Sequence, residues 1–170
     1  MDVIKAALVL FVVALLQLSV LSEYRPFRTS SIVLVALLAV ALLRGSLFGA
    51  IAGFATGLLL DTATLGTLGV TSLLLTVGGF WIGRYGETTA RDRFHAPYLS
   101  VAVVTVLYAF GQIVLQFVLG EPAPAGLVAE GVPFALLVNL LLTLPVYTLI
   151  RRLFPPHELG DRIREVRLLG

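Results

Sequence analysis

The sequence predicts an all-α integral membrane protein built as a six-transmembrane-helix bundle, and three observations predict it. The first is composition: 58% of the 170 residues are hydrophobic and only 13% are charged, against about 25% charged in a soluble domain. The second is the division of the chain into six apolar runs, at 3–21, 29–43, 46–60, 69–83, 97–119 and 132–150. The third is the distribution of Lys and Arg. With six spans, Lys5, Arg44, Arg84, Arg91, Arg93, Arg151, Arg152, Arg162, Arg164 and Arg167 fall on one side and only Arg25 and Arg28 on the other. Cytoplasmic segments carry the basic excess, so both termini are expected inside.

The first run is long enough to cross a bilayer, which takes about 20 residues of helix. It lacks a small-residue cleavage site before a soluble region, so it reads as a retained span. The second, third and fourth runs are short and reach full length only by borrowing Arg28, Gly45, Thr62 and Tyr85 from their flanks. Joining the second and third runs would give one helix of roughly 48 Å. It would also place Arg44 near the bilayer centre, so Arg44-Gly45 reads as a tight cytoplasmic turn. The fifth and sixth runs fit a bilayer, with Pro145 kinking the last. Between them, 120–131 contains Pro122, Pro124, two glutamates and terminal glycines and reads as a short extended connection. Trp81, Tyr85 and Phe154 fall at the proposed inner interface and Tyr24 and Phe27 at the outer one, where aromatic residues gather. The chain divides into a transmembrane domain, 1–154, and a cytoplasmic tail, 155–170. In that tail Leu159, Ile163 and Val166 oppose Arg162, Arg164 and Arg167, a pattern suited to an interfacial helix or a docking segment.

Cysteine is absent, which excludes disulfides and thiolate chemistry. A net charge of +2 without a basic face gives no nucleic-acid footprint. His95 and His157 lack a second ligand at metal spacing. No nucleophile motif or phosphate loop is present, so no catalytic residue, cofactor or metal is assigned and an enzyme is not expected.

The polar residues inside spans are Gln17, Gln112, Gln116 and Asn139. Gln112 and Gln116 share a helix face and are expected to bond across helices or to line a cavity. The most specific feature is the series Gly45, Gly49, Gly53 and Gly57. Spacing of four puts these glycines on one face, where a second backbone can approach closely; Gly79 and Gly83 repeat it. That face serves either packing within the bundle or docking of a partner helix, and the helix is expected to sit centrally with very close neighbours. Asp61, at the end of the same run, has two readings. With Thr62 and Thr64 it satisfies backbone amides before the fourth helix, or it is an acceptor held for a partner. Gly66 and Gly69 complete the turn.

Leu42-Leu43-Arg44-Gly45, Gly49, Gly53-Phe54-Ala55-Thr56-Gly57-Leu58-Leu59-Leu60-Asp61 and Leu68-Gly69 together resemble the signature of MreD, the membrane component of the bacterial rod-shape machinery. The signature comprises a basic turn, a glycine-spaced helix closing on Gly-Leu-Leu-x-Asp, and a Leu-Gly before the next span. The resemblance implies a non-catalytic scaffold of cell-wall elongation in the bacterial cytoplasmic membrane. It would bind MreC and be associated with the RodA–PBP2 peptidoglycan synthase and the MreB filament system. It also implies a fold similar to the substrate-binding membrane subunits of energy-coupling-factor transporters. A vitamin-binding transporter subunit is therefore the competing reading. Gly45, Gly49, Gly53, Gly57, Asp61 and Gly69 are the residues expected to matter for helix packing or partner binding.

Overall fold

The structure, a computed structural model, describes residues 2–17, 19, 32–64, 67–88, 95–120 and 125–153. Among them are six helices: α1 (Asp2–Leu16), α2 (Ile32–Arg44), α3 (Ser46–Thr64), α4 (Val70–Thr88), α5 (Ala96–Val118) and α6 (Ala125–Leu153). The amphipathic tail with His157, the aromatic residues Tyr24, Phe27 and Phe154, and Arg25, Arg28, Arg91 and Arg93 lie outside the described residues.

Three helical stretches, Ser46–Thr64, Ala96–Val118 and Glu130–Leu153, are long and apolar enough to cross a membrane. The helices Lys5–Leu16 and Ile32–Arg44 are apolar but shorter. α4 has 19 residues, but Thr71, Ser72, Thr76, Arg84 and Glu87 dilute its hydropathy. In lipid every main-chain polar group needs an internal partner, and an all-helical chain meets that need.

Apolar periodicity could not say which helix lies at the centre. The expectation that α3 sits centrally is corrected by the structure: the central helix is α2. Every residue from Val33 to Leu43 on α2 is buried, and the helix touches each of the other five. At 13 residues it is about 20 Å long. A helix enclosed by protein on all sides need not match the thickness of the lipid. α3 instead lies against α4, and its other side exposes Leu47, Ile51, Phe54 and Leu58.

A second correction concerns 120–131. α6 begins at Ala125 and runs 29 residues through Gly126, Gly131, Pro133 and Pro145, so 125–131 is helix and not extended. Glycine and proline interrupt helices in water, where the freed main chain can turn to solvent. In an apolar surrounding the main chain has no water to turn to, which favours keeping the helix. A third concerns Gln112, whose Nε2 donates to the Tyr108 hydroxyl at 3.1 Å, one turn away on the same helix. A polar contact across the α5/α6 interface is made by Asn139 Nδ2, which donates to Thr105 Oγ1 at 3.1 Å. Gln17, just beyond α1, accepts from the Val33 N–H at 2.9 Å and so caps the central helix.

Candidate functional site

All six residues singled out by the sequence fall on α3, α4 or the joints beside them. The two helices run antiparallel with main chain against main chain. A Cβ built at Gly49 would lie under 3.0 Å from the Gly79 carbonyl, one at Gly53 from the Leu75 carbonyl, and one at Gly57 from the Ser72 backbone. From the other side, Gly79 meets Gly49 and Gly83 meets Gly45 in the same way, while Gly86 meets the Leu42 backbone of α2. Gly49 and Gly79 are reciprocal, each carbonyl occupying the space the other's side chain would need. Contacts this close supply dispersion and weak Cα–H···O interactions where lipid removes the hydrophobic drive. Ser72 adds a direct bond, its hydroxyl donating to the Phe54 carbonyl at 3.0 Å.

Gly45 and Gly69 have a different role. Their φ angles are +98° and +95°, in the left-handed region that glycine enters without steric cost. Gly45 is a one-residue joint. Its N–H donates to the Ala41 carbonyl at 2.8 Å and its carbonyl accepts from the Gly49 N–H at 3.0 Å. It thereby ends α2 and starts α3, a C-terminal glycine of the usual kind that also opens the next helix. At Gly69 a Cβ would meet nothing within 4 Å, so only its backbone conformation calls for glycine.

Asp61 lies within the last turn of α3, not in the turn that follows, and is 3% exposed. Its Oδ2 accepts from the Gly69 N–H at 2.8 Å and the Ser72 N–H at 3.3 Å, and its Oδ1 from the Thr71 N–H at 3.3 Å. These amides open α4 and have no acceptor within it. A negative charge there also complements the helix dipole. Thr62 and Thr64 do not share this work; their hydroxyls bond back to carbonyls of Leu58, Leu59 and Leu60 in α3.

The far end of the hairpin repeats the device with the helices exchanged. Glu87, near the end of α4 and past the apolar run, accepts at Oε1 from the Ser46 N–H at 2.7 Å and the Ser46 hydroxyl at 2.9 Å. It thus caps α3. The Ser46 N–H, then the Ser46 hydroxyl and Arg84, hold the Glu87 carboxyl below its ordinary value. Each helix of the hairpin therefore carries, near its C-terminal end, the carboxylate that caps the other. Sequence reasoning missed Glu87, Gly86 and Ser72. A signal for Glu87 was present: Gly53, Gly57 and Asp61 are spaced four apart, and so are Gly79, Gly83 and Glu87.

A family model, rod shape-determining protein MreD, matches residues 3–154. The chain belongs to the MreD family. The match takes in all six helices almost from end to end, and with them the glycine hairpin, both joints and both capping carboxylates. Membership carries a role in the determination of rod shape, and the apolar helices are those of a membrane protein. Among curated proteins and among solved structures none matches the chain.

Proposed function

We propose that this MreD-family protein is a non-catalytic scaffold of cell-wall elongation in the bacterial cytoplasmic membrane. It binds MreC and supports the RodA–PBP2 synthase and the MreB system. All six helices span the membrane in this reading, with both termini inside, as the distribution of Lys and Arg suggests. The observation that carries the reading is the family match over 3–154. The hairpin supports it physically: two helices joined backbone to backbone and capped at both ends form a stiff element. A partner's helix can be held against such an element by differential contacts rather than chemistry. The side of α3 turned away from α4 offers Leu47, Ile51, Phe54 and Leu58 to that partner.

The competing solute-binding reading needs a pocket with polar groups to orient a vitamin. A groove of about 510 Å³ lies between α1 and α3, but Thr56 is the one polar residue in its lining. The test is deletion of the gene, with cell width, lateral wall synthesis and recovery of MreC with the solubilised protein as readouts. Widened cells and co-purified MreC are expected. Normal width and lateral synthesis contradict the proposal, and tight vitamin binding favours the competitor.

A further inference from the structure

We propose that the junction of α2, α5 and α6 binds one buried water molecule, held between Ser100 and Thr143. Two observations meet there. Ser100 is 3% exposed, and its Oγ is the buried side-chain polar atom among the described residues that has no hydrogen-bond partner. The same residue lines a small cavity of about 10 Å³, whose walls include Ala39 and Leu42 of α2, Pro97 of α5, and Thr143 and Tyr147 of α6.

The dimensions and chemistry select the occupant. A cavity of roughly 10–15 Å³ admits one water, which needs two to four polar partners. Anything larger is excluded, and no carboxylate lines the walls to favour a cation. Thr143 Oγ1 spends its proton on the Asn139 carbonyl at 2.7 Å, so toward any further partner it can only accept. Ser100 Oγ both donates and accepts. A water that donates to Thr143 and bonds Ser100 satisfies the hydroxyl and ties α5 to α6. This second polar tie would lie about a turn and a half along α5 from the bond between Asn139 and Thr105. The competing arrangement has the Ser100 hydroxyl turned back to its own helix at the Ala96 carbonyl, a habit of serine in apolar helices.

X-ray hydroxyl-radical footprinting of the full chain in nanodiscs, run in ¹⁸O-water, separates the two. Radicals made from a bound water label the side chains around it even when bulk solvent cannot reach them. Label is expected on Pro97 and Leu42, well above that on Leu34 and Leu37, which are equally buried elsewhere on α2. It should fall to that background in the Ser100→Ala/Thr143→Val double variant. Wild-type label no higher than on Leu34 and Leu37 overturns the proposal and leaves Ser100 bonded to Ala96. Label that persists in the double variant overturns the assignment of Ser100 and Thr143 as the holders. Should the variant fail to fold, the wild-type comparison decides alone.

Discussion

The bundle contains two antiparallel helix pairs built on different principles. α3 and α4 touch through their main chains, with glycines on both sides and a carboxylate closing each end. α5 and α6 are held apart by side chains and joined in the core by the contact of Asn139 with Thr105. In the second pair neither Gly111 nor Gly126 meets backbone: a Cβ at Gly111 would crowd only the tip of Leu74 on α4, a flexible side chain that must shift, and one at Gly126 meets nothing within 4 Å. A backbone contact cannot yield by changing a rotamer, whereas a side-chain contact can. The first pair should therefore behave as one stiff unit that is intolerant of substitution, and the second as an adaptable one.

The largest effect is expected where the two backbones are reciprocal. Gly49→Val or Gly79→Val should each destabilise the protein by at least the roughly 1–3 kcal/mol typical of overpacking. The double variant should cost less than the sum, because one inserted side chain has already forced the helices apart. Thermal unfolding of the three variants measures this; strict additivity would mean that the two glycines do not face each other.

Next in size is the loss of a cap. Asp61→Ala strips the opening amides of α4 of their acceptor, at about 0.5–2 kcal/mol for an ordinary helix cap and more where the amides are buried. Asp61→Asn keeps one acceptor oxygen and should recover part of the loss. If Asp61→Ala unfolds at the wild-type temperature, the carboxylate is not closing the hairpin.

Across the other pair, Thr105→Val should cost about 0.6 kcal/mol, the average for a polar contact between helices in a membrane. Gly126→Ala should be close to neutral. A cost at Gly126 comparable to that at Gly49 would erase the distinction between the pairs.

The smallest effect belongs to Glu87, which is exposed. Its carboxyl is held below the ordinary value of 4.5 by the Ser46 N–H and hydroxyl, with Arg84 adding to them. A depressed carboxyl stabilises the fold fully above its unfolded pKa and loses that contribution as pH falls through the folded one. The stability gap between wild type and Glu87→Gln should thus be constant near neutrality and close as pH drops below about 4.5. A gap that widens on acidification would reverse the assigned sign.

Much of the first pair could be read from the sequence. Spacing of four fixes a helix face whatever surrounds it, so Gly49, Gly53 and Gly57 announced a close approach, and Asp61 beside them announced a helix end. The partner of that face was harder to name, since packing and docking present the same residues. The centrality of α2 was not legible: lipid and protein interior are equally apolar, so an unbroken hydrophobic run does not say which it meets. Pro122, Pro124, the glutamates and the glycines at 120 and 131 misled, because the tendency of such residues to break helices is calibrated in water. Glu87 lies 41 residues from Ser46, and local reasoning has no means of joining them. Only the matching spacing of the two glycine series could have done so.

The account rests most on the backbone contact at the middle of the hairpin, between Gly53 and Leu75. Its most direct test compares Gly53→Leu with Leu59→Ala in membrane level, thermal unfolding and recovery of MreC. Leu59 is only partly buried at the edge of the core, so its truncation should be mild. Gly53→Leu should lower both membrane level and unfolding temperature well below those of Leu59→Ala. A Gly53→Leu protein with normal level and unfolding temperature contradicts the account. If that protein has lost MreC, the glycine face is a docking surface; if it has kept MreC, the face meets lipid.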